Sequence, residues 1–172
     1  MEKIVIVAGK RTPFGSFGGS LKDVGATQLA VAASLGTLNS IDFKASDIEH
    51  VIFGNVVQSG SDAAYVPRHI GLHLGVPIIA GALGVNRLCG SGFQSMVNAA
   101  QMILTGDAKV VLAGGVEQMS QIPYVVRGAR WGMRMGPSEF EDYMTSALTD
   151  AYGKTPMAIT AENLAEKYSI SR

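Results

Sequence analysis

Short apolar runs that stop at glycine, with helix-length segments between them, restrict this chain to few architectures. Ile4-Val5-Ile6-Val7-Ala8 stops at Gly9, and Val51-Ile52-Phe53 meets Gly54 within a run reaching Val57. Lys109-Val110-Val111-Leu112-Ala113 stops at Gly114-Gly115, and Ala82 to Leu88 has the same character. Runs this short and this uniformly apolar predict strands covered on both faces. Between them, Thr27 to Leu38, Ala63 to Leu74 and Phe93 to Leu104 predict helices, the last apolar enough to be buried all round. Strand and helix in alternation is the order of an α/β domain with at least partly parallel pairing.

Local signals refine the boundaries. Ser46 followed by Glu49 fits a capping box for a short helix within Asp42–Asp47, and Asp62 is placed to cap the helix that follows it. Leu104-Thr105-Gly106 is a helix stop. Gly9 to Gly19 is a glycine-rich loop whose Lys10-Arg11 pair does not match the spacing of a phosphate-binding loop, so it reads as structural. After Glu117 the periodicity weakens, which places a domain boundary near residue 118. In that second part Arg127, Arg130, Arg134 and Trp131 suit either a phosphate-bearing ligand, another subunit, or a solvated loop. Thr160 to Tyr168 reads as a helix, and Ser171 as an N-cap with no helix after it, an ending expected of a fragment.

The chain is 47% hydrophobic and only 16% charged, with 21 glycines in 172 residues. That balance predicts more buried surface than a free-standing domain of this size needs, as in an obligate oligomer or part of a larger protein. A formal net charge of zero argues against a nucleic-acid partner, and no apolar run has the length of a membrane span. The N-terminus shows no leader pattern, and one cysteine excludes an internal disulfide. The expectation is a cytoplasmic protein.

That cysteine is Cys89, within Asn86-Arg87-Leu88-Cys89-Gly90-Ser91-Gly92. It falls where a predicted strand turns into a predicted helix, facing the helix's free N–H groups and positive dipole end, a setting that favours a thiolate. Gly90 and Gly92 leave room for a substrate to approach the backbone. A thioester stays electrophilic, so an acyl group caught on sulfur is passed on with little change in free energy. The backbone N–H of the same turn is placed to donate to the oxyanion formed during attack. A lone cysteine is also an ordinary small core residue. The flanking glycines, the helix start and the Asn86-Arg87 pair favour the nucleophile.

Such chemistry also needs a base and a second acid–base group. His50 precedes a strand, while His69 and His73 share a helix face at metal-ligand spacing without a third ligand nearby, so none is read as the base. Gly90-Ser91-Gly92 fails as a hydrolase elbow, because Cys89 stands where glycine is required. It fails as a dinucleotide fingerprint because Ser95 replaces the third glycine.

At these residues the chain resembles the N-terminal half of a thiolase. Asn86 to Gly92 is similar to the family's nucleophile segment, Gly114-Gly115-Val116-Glu117-Gln118-Met119-Ser120 to its strand exit, Arg11-Thr12-Pro13-Phe14-Gly15 to its N-terminal loop, and Met157-Ala158-Ile159-Thr160-Ala161-Glu162-Asn163 to its TAEN segment. The resemblance implies an α/β chain of the layered αβαβα thiolase fold, with residues 1–117 as most of the N-terminal half and 118–172 as the start of the inserted loop domain. It implies Cys89 as the acylated nucleophile, its N–H as an oxyanion donor, and Leu148 and Met157 as lining the acyl or pantetheine pocket. It implies coenzyme A as a substrate with no separate cofactor or metal. Its partners would be acyl-CoA, a C-terminal half in cis or as a separate chain, and further copies in a homodimer or tetramer joined in some members through the 127–134 region. Pro156, where acetoacetyl-specific members often carry histidine, leans toward the 3-ketoacyl-CoA type. The family's activating histidine and second catalytic cysteine, which belong to its second half, have no counterpart here. Three readings follow: the nucleophile-bearing part of an acyltransferase, inactive alone, for 3-ketoacyl-CoA thiolysis or the reverse Claisen condensation, with an acetoacetyl-CoA-specific acetyltransferase as its alternative; a non-catalytic half that binds CoA or a partner subunit; and a redox-responsive cysteine.

Overall fold

The computed structural model describes residues 3–172. The chain forms two compact units, Met1–Gln121 and Ile122–Arg172.

The first unit is built on a parallel three-stranded sheet of β1 (His50–Gly54), β2 (Gly81–Val85) and β3 (Val111–Gly115), with β1 in the centre. Parallel neighbours need crossovers, and these are α2 (Val66–Leu74) and α3 (Ser91–Thr105); α1 (Ala26–Asn39) precedes the sheet. Val51 and Phe53 join Val66, Ile70 and Leu74 of α2 and Ala30 and Leu38 of α1 in one apolar cluster. Ile52 points to the other face by strand alternation, as does Gly54, which abuts Ser91 of α3. Helices thus cover both faces of β1, and Val51, Ile52, Val66 and Ile70 are at most 1% exposed. Each such side chain contributes about 1.5–3 kcal/mol of transfer free energy.

The helices end as the sequence signals predict. Gly106 adopts φ 81°, its N–H donates to Ile103 O, and Asp107 N–H donates to Met102 O at 2.9 Å, closing α3.

Four expectations are corrected. Residues 4–8 form no strand: they make no backbone hydrogen bond among the described residues, and Val5, Ile6 and Val7 are 72–82% exposed. A cavity of about 1000 Å³ lies between them and Val111–Gly115 of β3, so the bonds that define a strand are not made. α3 is not buried all round. Its buried positions are the small Ser91, Ser95 and Ala99, while Phe93, Met96, Val97 and Leu104 are exposed. The predicted capping box is absent, since Ala45–Asp47 is a single 3₁₀ turn and Glu49 instead accepts a 2.6 Å bond from Lys109 N–H. Asp62 does not cap α2. A 3₁₀ turn at Ala63–Tyr65 intervenes, and the carboxylate takes the Thr27 hydroxyl at 2.7 Å, a bond that holds its pKa below the usual range.

In the second unit, β4 (Tyr124–Val125) pairs antiparallel with β5 (Glu141–Asp142), followed by α4 (Tyr143–Ala147) and α5 (Met157–Tyr168). Asp142 caps α4 by accepting from Met144 N–H at 3.0 Å. Of the basic cluster, Arg127 is committed internally, gripping Glu141 through two bonds of 2.7 and 2.9 Å that draw the carboxyl down to about 2. Trp131 stays 85% exposed.

Candidate active site

The three strands end level, with Gly54 of β1 opposite both Val85 of β2 and Gly115 of β3. The carboxyl ends of parallel strands are where α/β sheets present ligand sites. The segments leaving them are Asn55–Val57, Asn86–Gly90 and Val116–Gln118, and the second carries Cys89.

Why α3 begins here is a matter of steric room. A Cβ at Gly54 would lie 2.6 Å from the Ser91 carbonyl carbon, and one at Gly115 3.0 Å from Gly92 Cα. Glycine at both strand ends lets the first turn of α3 press directly onto the sheet.

The turn before α3 is held by its own side chains. Leu88 adopts φ 49°, an uncommon conformation for a residue with a branched side chain. Its N–H donates to Asn86 Oδ1 at 3.0 Å, and its carbonyl accepts from Ser91 N–H at 3.0 Å and Ser91 Oγ at 2.6 Å. Ser91 Oγ also accepts from Arg87 N–H at 2.8 Å. These bonds over-determine the left-handed residue, as a strained backbone conformation requires. They leave Cys89 exposed at the head of α3. Among the described residues the N–H groups of Cys89, Gly92 and Phe93 meet no acceptor, so they are free to receive a negative oxygen.

Beneath the turn lies a second layer that sequence reading missed. Glu117 accepts three hydrogen bonds from the β1 exit: Asn55 Nδ2 at 3.0 Å, Val56 N–H at 3.0 Å and Val57 N–H at 3.1 Å. Asn55 Nδ2 also donates to Val116 O, and Asn86 Nδ2 donates to Val56 O at 3.3 Å. The signal available in sequence was a short amide side chain, Asn55 or Asn86, interrupting each of two predicted strand runs, a residue type that bonds local backbone.

None of the three histidines is bonded to the Cys89 turn among the described residues. His50 is at the opposite end of β1, where burial lowers its pKa and Nδ1 has no partner. His69 Nδ1 lies 3.7 Å from Asp62 Oδ2 and its ring stacks on Tyr65, while His73 is exposed. Among the described residues no group of three or more His, Cys, Asp or Glu side chains is arranged to hold a metal ion. In the second unit Leu148 and Met157 are brought together, Met157 N–H donating to Leu148 O at 2.9 Å, and both side chains are partly exposed.

A family model described as the thiolase N-terminal domain matches residues 4–172. The mouse mitochondrial 3-ketoacyl-CoA thiolase is 54% identical over all of this chain and 44% of its own length. The beta-ketothiolase BktB of Cupriavidus necator is 46% identical over 99% of this chain and 43% of its own. The crystal structure of human mitochondrial 3-ketoacyl-CoA thiolase in complex with CoA superposes with a TM-score of 0.92 at 51% identity, covering 96% of this chain and 42% of that one. This chain therefore spans less than half the length of the relatives it matches. The expectation of a cytoplasmic protein is overturned, because the mouse relative and the human structure are both named as mitochondrial and point to that compartment instead.

Proposed function

The chain belongs to the thiolase family, matching its N-terminal domain, and on that premise we propose that it is the nucleophile-bearing part of an acyltransferase working on CoA thioesters. The Cys89 thiolate attacks the keto carbon of a 3-ketoacyl-CoA, and the Cys89 N–H donates to the oxygen that becomes negative. The bond between carbons 2 and 3 breaks, its electron pair stays on carbon 2, and that carbon takes a proton and leaves as acetyl-CoA. The thiol of a second CoA then takes the acyl group from sulfur. Leu148 and Met157 are the proposed apolar contacts to the acyl or pantetheine chain.

One observation carries this reading. Cys89 is exposed at the carboxyl edge of the sheet on a turn fixed by Asn86 and Ser91, with unoccupied N–H groups around it. Among the described residues no histidine makes a hydrogen bond to the Cys89 turn, so the two proton transfers are assigned to groups outside residues 1–172. The chain alone is expected to become acylated at Cys89 slowly and not to turn over. Intact-mass measurement after exposure to a 3-ketoacyl-CoA, with Cys89→Ser as the blank, checks the first part. A continuous assay of 3-ketoacyl-CoA cleavage checks the second, and sustained cleavage by the isolated chain would refute the assignment of the proton transfers.

A second reading, a non-catalytic half that binds CoA or a partner subunit, is favoured by the outward face of α3, where Phe93, Val97 and Leu104 are exposed together. Loss of mass gain at Cys89 with retained binding of CoA would favour it over acyl transfer.

A further inference from the structure

We propose that Glu117 is a positioning residue for the Cys89 turn, acting through the β1 exit and Asn86 rather than by touching substrate; this rests on the acyl-transfer reading of Cys89. The path is continuous in hydrogen bonds. The two carboxylate oxygens take Asn55 Nδ2 and the N–H groups of Val56 and Val57. That fixes the Val56 carbonyl, which accepts from Asn86 Nδ2. Asn86 Oδ1 in turn accepts the N–H of Leu88, the residue at φ 49° that aims the next N–H, that of Cys89.

Charge and valence both matter in this arrangement. Three donors converge on one carboxylate, which offers about four acceptor sites, and an ionised acceptor makes the stronger bonds. A glutamine at 117 has the same shape but presents an NH₂ group to one of those N–H donors, so at least one bond is replaced by a repulsive contact. Glu117 is partly buried, and its neighbour Gln118 is buried, with Nε2 donating to Leu21 O and Val24 O at 2.9 and 2.6 Å. The carboxylate therefore hangs from an anchored backbone, and what it holds is the exposed side: a loop, an exposed Asn86 and an exposed cysteine. The oxyanion hydrogen bond depends steeply on donor placement.

The test compares two reagents on the full 172-residue chain. With p-nitrophenyl acetate the Cys89 sulfur bonds to the carbonyl carbon through a tetrahedral oxyanion. The carbon–oxygen bond then breaks, p-nitrophenolate leaves, and the thiol proton passes to buffer. With iodoacetamide sulfur displaces iodide and no oxyanion forms. Glu117→Gln is expected to slow acylation about tenfold while alkylation changes less than about threefold. Asn86→Ala, at an exposed position that leaves the core intact, is expected to do the same, and the double variant to be no slower than the worse single one because both cut one path. If Glu117→Gln fails to fold, by circular dichroism, Asn86→Ala alone decides, and unchanged selectivity in it overturns the proposal. A folded Glu117→Gln variant with wild-type selectivity also overturns it, as does additive loss in the double variant. A wild-type chain that prefers the ester no more than free cysteine does refutes the oxyanion reading of Cys89 itself, and the positioning role with it.

Discussion

Residues 4–8 and residues 50–54 are near twins in sequence and opposites in structure. Each is a short apolar stretch with β-branched residues and a glycine at its end, Gly9 or Gly54. Val51–Gly54 is buried as the middle strand of a parallel sheet. Ile4–Val7 is exposed, across a cavity from the free edge of β3. β-propensity describes how well a side chain fits a pleated, half-buried surface. It says nothing about whether a partner edge is within hydrogen-bonding distance. β1 has partners on both sides, while residues 4–8 have none among the described residues.

The comparison can be broken by parallel substitutions, and the largest contrast is expected in the cores of the two runs. Ile52→Ala should destabilise the fold by about 2–5 kcal/mol, because it empties a fully buried site. Ile6→Ala should stay within about 0.5 kcal/mol, as an exposed position does. Urea unfolding of both variants measures the difference, and equal losses would mean that residues 4–8 are packed in solution.

A smaller contrast is expected at the terminal glycines. Gly54→Ala forces a methyl against the Ser91 backbone and should cost about 1–3 kcal/mol, with faster hydrogen exchange through the first turn of α3. Gly9→Ala meets nothing within 4 Å and should be nearly silent. Exchange mass spectrometry on the pair reads this directly.

The smallest effect concerns the start of β1. Burial, with Arg68 adding a like charge, lowers the pKa of His50 from 6.5 in the folded chain. The unfolded chain then binds more protons just below pH 6.5, so stability is full above that value and declines as pH falls toward the depressed folded pKa. His50→Gln should flatten that slope in denaturant midpoints taken between about pH 5.5 and 7.5. Residues 4–8 carry no titratable group to show the same behaviour.

Much of the first unit was legible because its signals are local. Glycine at 106 marks a helix stop wherever the helix goes, and Val51-Ile52-Phe53 is buried as its unbroken apolar run predicts. α3 was misread for a physical reason. Its sheet-facing stripe is made of Ser91, Ser95 and Ala99, which look polar or neutral in sequence but suit close helix–sheet packing over Gly54 and Gly115. Phe93, Val97 and Leu104 lie on the other side. Ser46 and Asp62 carried capping signals, yet Glu49 was taken by Lys109 and Asp62 by Thr27, partners tens of residues away. Local propensity loses wherever such a distant partner offers a better bond.

For the candidate site, sequence alone determined the turn and what it carries: one thiol, glycines beside it, and a helix starting there. Those are consequences of neighbouring residues, whose geometry the covalent chain enforces. Only the tertiary structure decided how the turn is held. Asn86, Val56 and Glu117 meet because three parallel strands end at the same level, and strand register is a property of the sheet that no single segment encodes.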